Sequence, residues 1–185
     1  MSRAKVQRSY FQPVPDYDAS RLLLFLAALA GLLAIATPPF AQVAGHPVLA
    51  SLGYRFFSPI CHQLPDRAFH LFGHPLALCA RCTGLLLGMA TGAALALAHR
   101  AQGRPFLGAR RWLVVAILLM FADFASPLIG LYQNTLCTRL ITGLLVGHIA
   151  APYVIIGWAE LMAIIKNEGG LVFMRKKGIG GEISA

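Results

Sequence analysis

"LALCARCTGLLLGMATGAALALA", Leu76 to Ala98, decides how the rest of the chain is read. It matches the ~20 apolar residues that cross a bilayer as a helix, and Ala80, Gly84, Gly88, Gly92 and Ala96 recur in it at four-residue steps. Small residues at that spacing share one helix face and let a neighbouring backbone approach closely in lipid. A later stretch, "LITGLLVG" from Leu140 to Gly147, repeats the Thr-Gly-Leu-Leu-x-Gly of "RCTGLLLG", and Gly143, Gly147 and Ala151 keep the same step. The two read as packing faces, and as a faint parallel repeat of two hairpins; convergent packing glycines explain them nearly as well.

Composition agrees with a membrane setting. Of 185 residues 57% are hydrophobic and 12% charged, too little polar surface to dissolve a globule of this size. Apolar runs place spans at about 21–40, 76–98, 112–131 and 136–166, which gives an all-α integral membrane four-helix bundle as a single transmembrane domain over 1–166, with a tail over 167–185. The first run is read as a retained helix, because "AIATPPFAQVAG" offers no convincing small-residue cleavage site. Basic residues set the orientation: twelve flank the N-terminus, the connection between the second and third spans and the C-terminal end, against Arg55, Arg67, Arg81 and Arg139 on the other side. The positive-inside rule then puts both termini in the cytoplasm. The net charge of +9 is therefore mostly a topology signal, and a nucleic-acid partner is not expected. The tail "NEGGLVFMRKKGIGGEISA" reads as a partly disordered cytoplasmic end whose basic cluster suits anionic lipid.

The large outer connection, 41–75, opens with "HPVLASLGYRFFSPICHQL", which suits an interfacial helix, and continues into "CHQLPDRAFHLFGHP", rich in histidine. Polar residues gather at this outer level: Cys61, His62, Cys79, Arg81 and Cys82, then Asp123 late in the third span, then Asn134, Cys137 and Arg139 at the start of the fourth. An aspartate in a span needs a partner, and Arg81 and Arg139 are the candidates for Asp123. His148, deeper in the fourth span, reads as a packing residue.

All four cysteines fall on the outer side, and three readings stand side by side. Cys61, Cys79 and Cys82 with a histidine can bind a metal, zinc above all, whose tetrahedral shell accepts thiolate and imidazole. His62 is adjacent to Cys61, so His70 and His74 are alternatives for the fourth ligand. Alternatively, Cys79 and Cys82 form a redox dithiol, with Arg81 and the helix N-terminus favouring thiolate. In that reading the spans and the CxxC resemble the quinone-coupled membrane oxidoreductases that generate disulfides, although that family's second cysteine pair is here reduced to Cys137. In the third reading Cys79 or Cys82 forms a structural disulfide with Cys61.

At "SPICHQLPDRAFHLFGHPLALCARCTGLLLG" the chain resembles a family of small bacterial and archaeal integral membrane proteins known only as a domain of unknown function. The resemblance rests on Cys61, His62, Gln63, Pro65 and Arg67, then Cys79, Arg81, Cys82 and Gly84, then Asp123, Asn134, Arg139, Thr142 and Gly143. It implies that Cys61, His62, Cys79 and Cys82 belong together, leaves Cys137 out, and brings no established activity. The expectation is thus a multi-pass inner-membrane protein with a Cys/His metal or redox site at its outer face. Arg81, Asp123, Asn134 and Arg139, joined by Arg67, surround that site and are the residues for a cofactor such as a quinone. Whether it is an enzyme stays open; an accessory subunit docking a larger membrane complex, or a homo-oligomer, is the non-enzymatic alternative. An impermeant thiol label added from outside should reach the cysteines of the outer side and never a cysteine introduced between Gln102 and Gly108; the reverse labelling pattern inverts the orientation.

Overall fold

The computed structural model describes residues 17–98 and 109–178, with side chains described as far as Lys166. Expectations on Arg3, Lys5, Arg8, Arg100, Arg104 and the last seven residues lie outside them. The chain is mostly helical: α1 (Tyr17–Val43), α2 (Pro47–Phe57), a short 3₁₀ turn (Pro65–Arg67), a two-stranded hairpin (His70–Leu71 and His74–Pro75), α3 (Ala80–Ala98), α4 (Ala109–Ala125) and α5 (Leu136–Gly178). Three of these are long and apolar enough to cross a membrane: α1, α3 and the Leu136–Lys166 part of α5. At ~1.5 Å per residue α4 covers about 25 Å, a little less than the ~30 Å hydrocarbon core.

The interface of α3 with α5 is the most intimate in the molecule. A Cβ on Gly84 would strike the Leu140 carbonyl, one on Gly88 the Leu144 carbonyl, one on Gly143 the Arg81 carbonyl and one on Gly147 the Leu85 carbonyl. Turn 81–84 therefore lies on turn 140–143 and turn 85–88 on turn 144–147, so the two repeats pack against each other in parallel and in register. Backbones this close gain dispersion and Cα–H···O contacts that larger residues would forbid. One turn further on, Pro152 lacks an N–H, so the His148 carbonyl has no donor four residues on. That carbonyl faces Gly92, whose Cβ would come within 2.7 Å of it. His148 Nδ1 also meets Thr91 Oγ1 at 3.1 Å, in keeping with a packing role.

Prolines shape α1 in the same way. Pro38 and Pro39 are buried inside the helix and donate nothing, which frees the carbonyls of Ala34 and Ile35. Thr37 Oγ1 donates to Ala34 O at 2.7 Å, and the Ala77 N–H donates to Ile35 O at 3.1 Å. The second contact ties the segment before α3 to α1, so α3 starts at Ala80, four residues later than the apolar run suggests. At the opposite end buried Arg21, ion-paired with Asp18, donates Nη1 to the Ala96 carbonyl at 2.5 Å. The start of α1 thus meets the end of α3, and the two run antiparallel.

The expected third span reaches Leu131, but α4 stops at Ala125. Pro127 and Gly130, with φ +69°, turn the chain through hydrogen bonds from Leu128 N to Ala125 O and from Leu131 N to Ser126 O. Helix α5 then opens on a reciprocal cap between Thr135 and Thr138, each side chain accepting the other's backbone N–H at 3.2 and 3.1 Å. It continues to Gly178, beyond 166 and into the segment read as tail. Helix α2 opens on Pro47 and exposes Val48, Leu49, Leu52 and Phe56, an apolar strip at helical spacing. Gly84→Ala should lower stability by about 1–3 kcal/mol in reversible detergent unfolding. The same change at Gly157, where a Cβ meets nothing within 4 Å, should stay within ~0.5 kcal/mol.

Candidate metal centre

Cys61, Cys79 and Cys82 come together where α1, the loop after α2 and the start of α3 meet. Their Sγ atoms all lie within 4.8 Å of one another, and none is in a disulfide. Chain chemistry explains how each arrives. The Cys79 carbonyl accepts the Thr83 N–H at 2.9 Å, which makes Cys79 the N-cap of α3 and Cys82 its third residue. These two positions face each other in a capping box, and here thiols fill them. Cys61 arrives from the end of α2, where its N–H donates to Phe57 O at 3.1 Å, and its Sγ accepts the Cys79 N–H at 3.3 Å.

Gln63 holds the approach. It has a φ of +53°, and its Nε2 donates to Tyr54 O at 2.7 Å and Ala77 O at 2.9 Å, bridging α2 to the segment before α3. The hairpin turns through Phe72 and Gly73, both at positive φ as a type I′ turn requires. Tyr54 donates its hydroxyl to Pro75 O at 2.7 Å and pins the hairpin to α2. Ile35, Phe57, Ala77 and Leu78 form an apolar wall around buried Cys61, with Cys79 and Cys82 packed against it.

Hydrogen bonds from the Cys82 side chain and backbone hold the thiol of Cys79, which precedes the α3 span, below the usual thiol range, against the opposing effect of burial. Its sulfur is therefore prepared to be a thiolate, and a thiolate beside an apolar wall calls for a cation or a reaction partner. No histidine or carboxylate joins the three sulfurs as a group among the described residues. His62 and His70 are exposed and His74 is half-buried. Cys137 is exposed and outside the group.

A second cluster abuts the first. Arg81, between the two cysteines of the CxxC, forms an ion pair through Nη2 with Asp123 Oδ2, and its guanidinium stacks over Phe124 with 5.8 Å to the ring centroid. Asp123 is only 6% exposed and accepts the Tyr132 hydroxyl at 2.8 Å. Its backbone carbonyl accepts Ser126 Oγ at 3.0 Å and Asn134 Nδ2 at 2.9 Å. Arg139 does not touch Asp123; it donates Nε and Nη2 to Asn134 Oδ1 at 3.0 and 2.5 Å. Of the two candidate partners for the aspartate, Arg81 is the direct one. Tyr132 escaped the sequence reading because a tyrosine near a span end is read first as an interfacial anchor. Its spacing of two residues from Asn134 was the available signal.

The family model described as "Predicted membrane protein (DUF2085)" matches residues 61–153, which hold all three sulfurs and the whole Asp123 network. An uncharacterized protein of Methanocaldococcus jannaschii is 33% identical over 102 residues, 55% of this chain and 65% of that relative, just under two thirds of its length. An uncharacterized protein of Methanothermobacter thermautotrophicus is 32% identical over 114 residues, 60% of this chain and 91% of that relative. No solved structure matches the chain. Asp123→Ala leaves Arg81 without its carboxylate and should cost about 3–5 kcal/mol in detergent unfolding, whereas Asn134→Ala, which removes the amide acceptor of the Arg139 guanidinium, should cost about 1.5–3 kcal/mol.

Proposed function

This chain belongs to the family of predicted membrane proteins, DUF2085, and we propose that it holds a zinc ion at the outer face of the membrane through the thiolates of Cys61, Cys79 and Cys82. The observation that carries this reading is the convergence of three sulfurs within 4.8 Å from two separate segments, inside an apolar wall. Zinc accepts three thiolates at ~2.3 Å in a tetrahedron, and the ion replaces hydration that the wall denies to the thiolates. The fourth corner falls to a donor from solution or, after rearrangement of the turn that follows Cys61, to His62. A donor from solution makes a site able to polarise a bound ligand, whereas His62 closes a structural one. Arg81, Asp123, Asn134 and Arg139 fix the surroundings.

The membrane arrangement in this reading has four spans with both termini inside. Helices α3 and α5 run parallel, so the chain between them has to recross the bilayer, and α4 serves as that return despite its 17 residues. Its Asp123 reaches Arg81 at the start of α3, as an antiparallel crossing requires. Helix α2 lays Val48, Leu49, Leu52 and Phe56 onto the outer interface.

The low-titrating Cys79 beside Cys82 favours a second reading, a thiol oxidoreductase. There the two thiols close to a disulfide and pass two electrons and two protons to a quinone, giving the quinol. Metal analysis separates the two. Purified chain should carry about one zinc, lost in Cys79→Ser and Cys82→Ser; a zinc-free protein whose Cys79 and Cys82 become a disulfide on quinone addition sinks the metal reading and establishes the second.

A further inference from the structure

Helix α5 outruns the helices packed on it. Gly84 lies on Leu140, Gly88 on Leu144 and Gly92 on His148, a constant step, so Ala98, the last residue of α3, comes level with Val154. The other helices reach the same level. Arg21, near the start of α1, donates to the Ala96 carbonyl, and Arg110, near the start of α4, is as many residues from Asp123 as Ala94 is from Arg81, the partner of Asp123. The apolar run of α5 nevertheless continues to Lys166, and its helix to Gly178.

The face of α5 that α3 covers stays apolar beyond α3. Leu140, Leu144, Gly147 and Ala151 line the contact, and Val154, Trp158, Leu161 and Ile165 carry the same alternation of four- and three-residue steps onward without a break. These four are between 40 and 54% exposed, while Ile155 and Ala159, on a neighbouring face, are fully buried. Depth makes that exposure costly. At ~1.5 Å per residue the 19 residues of α3 nearly span the ~30 Å hydrocarbon core, and Leu161 and Ile165 lie ~10 and ~16 Å past its end. Headgroups fill only ~5–8 Å on each side, so these two side chains pass beyond lipid and need protein against them.

A second copy of the chain meets that need without any further complementarity. Two copies in one membrane hold the strip at one depth and pointing one way, so a two-fold axis along the membrane normal sets each residue against itself. Alternating four- and three-residue steps make the seam of a parallel coiled coil, and Leu161 followed by Ile165 places leucine and a β-branched residue in the order that favours two strands. Pro152 lies where α3 gives out, and a proline inside a helix permits the bend that brings two α5 helices together below the α3 helices standing between them. From this continuity with the α3–α5 contact we propose that residues 154–165 of α5 pair with the same residues of a second copy, so that the protein is a parallel homodimer joined beyond the membrane.

The test is disulfide trapping of the full chain in its own membranes, in a Cys137→Ser background whose yield without any added cysteine is the baseline. Leu161→Cys should give a covalent dimer under mild oxidation, at least tenfold more than Glu160→Cys, which lies on the other side of the helix. Sedimentation of the wild-type chain in mild detergent should give the mass of two copies. Leu161→Arg should weaken that association at least tenfold and leave the unfolding midpoint of the single chain unchanged, because the substituted side chain is exposed in one copy. A wild-type chain that stays single, or equal trapping at 160 and 161, overturns the dimer. Trapping of Leu161→Cys onto a different polypeptide alone also overturns it, in favour of an unlike partner. A nitroxide at 161 that oxygen relaxes and a water-soluble nickel chelate does not reach, on a chain that sediments as one copy, puts the strip in lipid and overturns it as well.

Discussion

The structure depends on the closeness of two backbones. Where α3 meets α5, the carbonyls of Arg81, Leu85, Leu140 and Leu144 occupy the space in which any side chain on Gly143, Gly147, Gly84 or Gly88 would sit. In water such an interface would be poor, because it hides little apolar area. In lipid, where apolar side chains gain nothing by leaving the solvent, contact distance decides, and residues without a side chain become the adhesive. The position of everything at the N-terminal ends of these helices follows. Arg81 and Cys82 are carried on one of the two touching turns and Arg139 begins the other, so both polar clusters are placed by glycine.

Prolines do the complementary work at α1. A membrane helix ordinarily satisfies its own carbonyls and presents nothing polar to its neighbours. Pro38 and Pro39 release two carbonyls in a span, and one of them receives the N–H of Ala77, two residues before Cys79. The sulfur cluster is thereby attached to three parts of the chain: α1 through Ala77, α2 through Cys61 and Gln63, and α3 through its own first turn. The attachments at Ala77, Cys61 and the first turn of α3 are backbone hydrogen bonds or a cap, and the one long side chain among them, Gln63, is anchored at two carbonyls. Thiols held this way are positioned before any ion or partner arrives, which lowers the ordering cost of binding one.

Much of this was legible from residue types. The glycine steps announced the α3–α5 contact, the CxxC announced two facing thiols, and a single intramembrane aspartate announced an arginine partner. What pattern could not settle was geometry between segments. His62 adjoins Cys61 in sequence, but the backbone at Gln63 turns to positive φ and His62 lies at the surface, outside the sulfur group. Arg81 and Arg139 looked equivalent as partners for Asp123, and only the fold shows one on the carboxylate and the other on Asn134. Helix ends were misplaced where apolar residues continue past a turn, as at Pro127 and Gly130, because hydropathy records affinity for lipid and is blind to backbone conformation.

The glycine contact also fixes where the molecule can bend. Two helices joined through side chains can slide as rotamers exchange, but backbones in direct contact have no rotamers to exchange, so α3 and α5 behave as one thick strut. Helix α4 touches that strut over a smaller interface, and among its described residues only Ala116 and Asp123 are buried. Flexing of the helices against one another must then be absorbed by α4 and α1. Because α4 carries Asp123 and α1 carries the carbonyl that holds Ala77, such flexing loads the surroundings of the sulfurs while leaving the CxxC turn itself still.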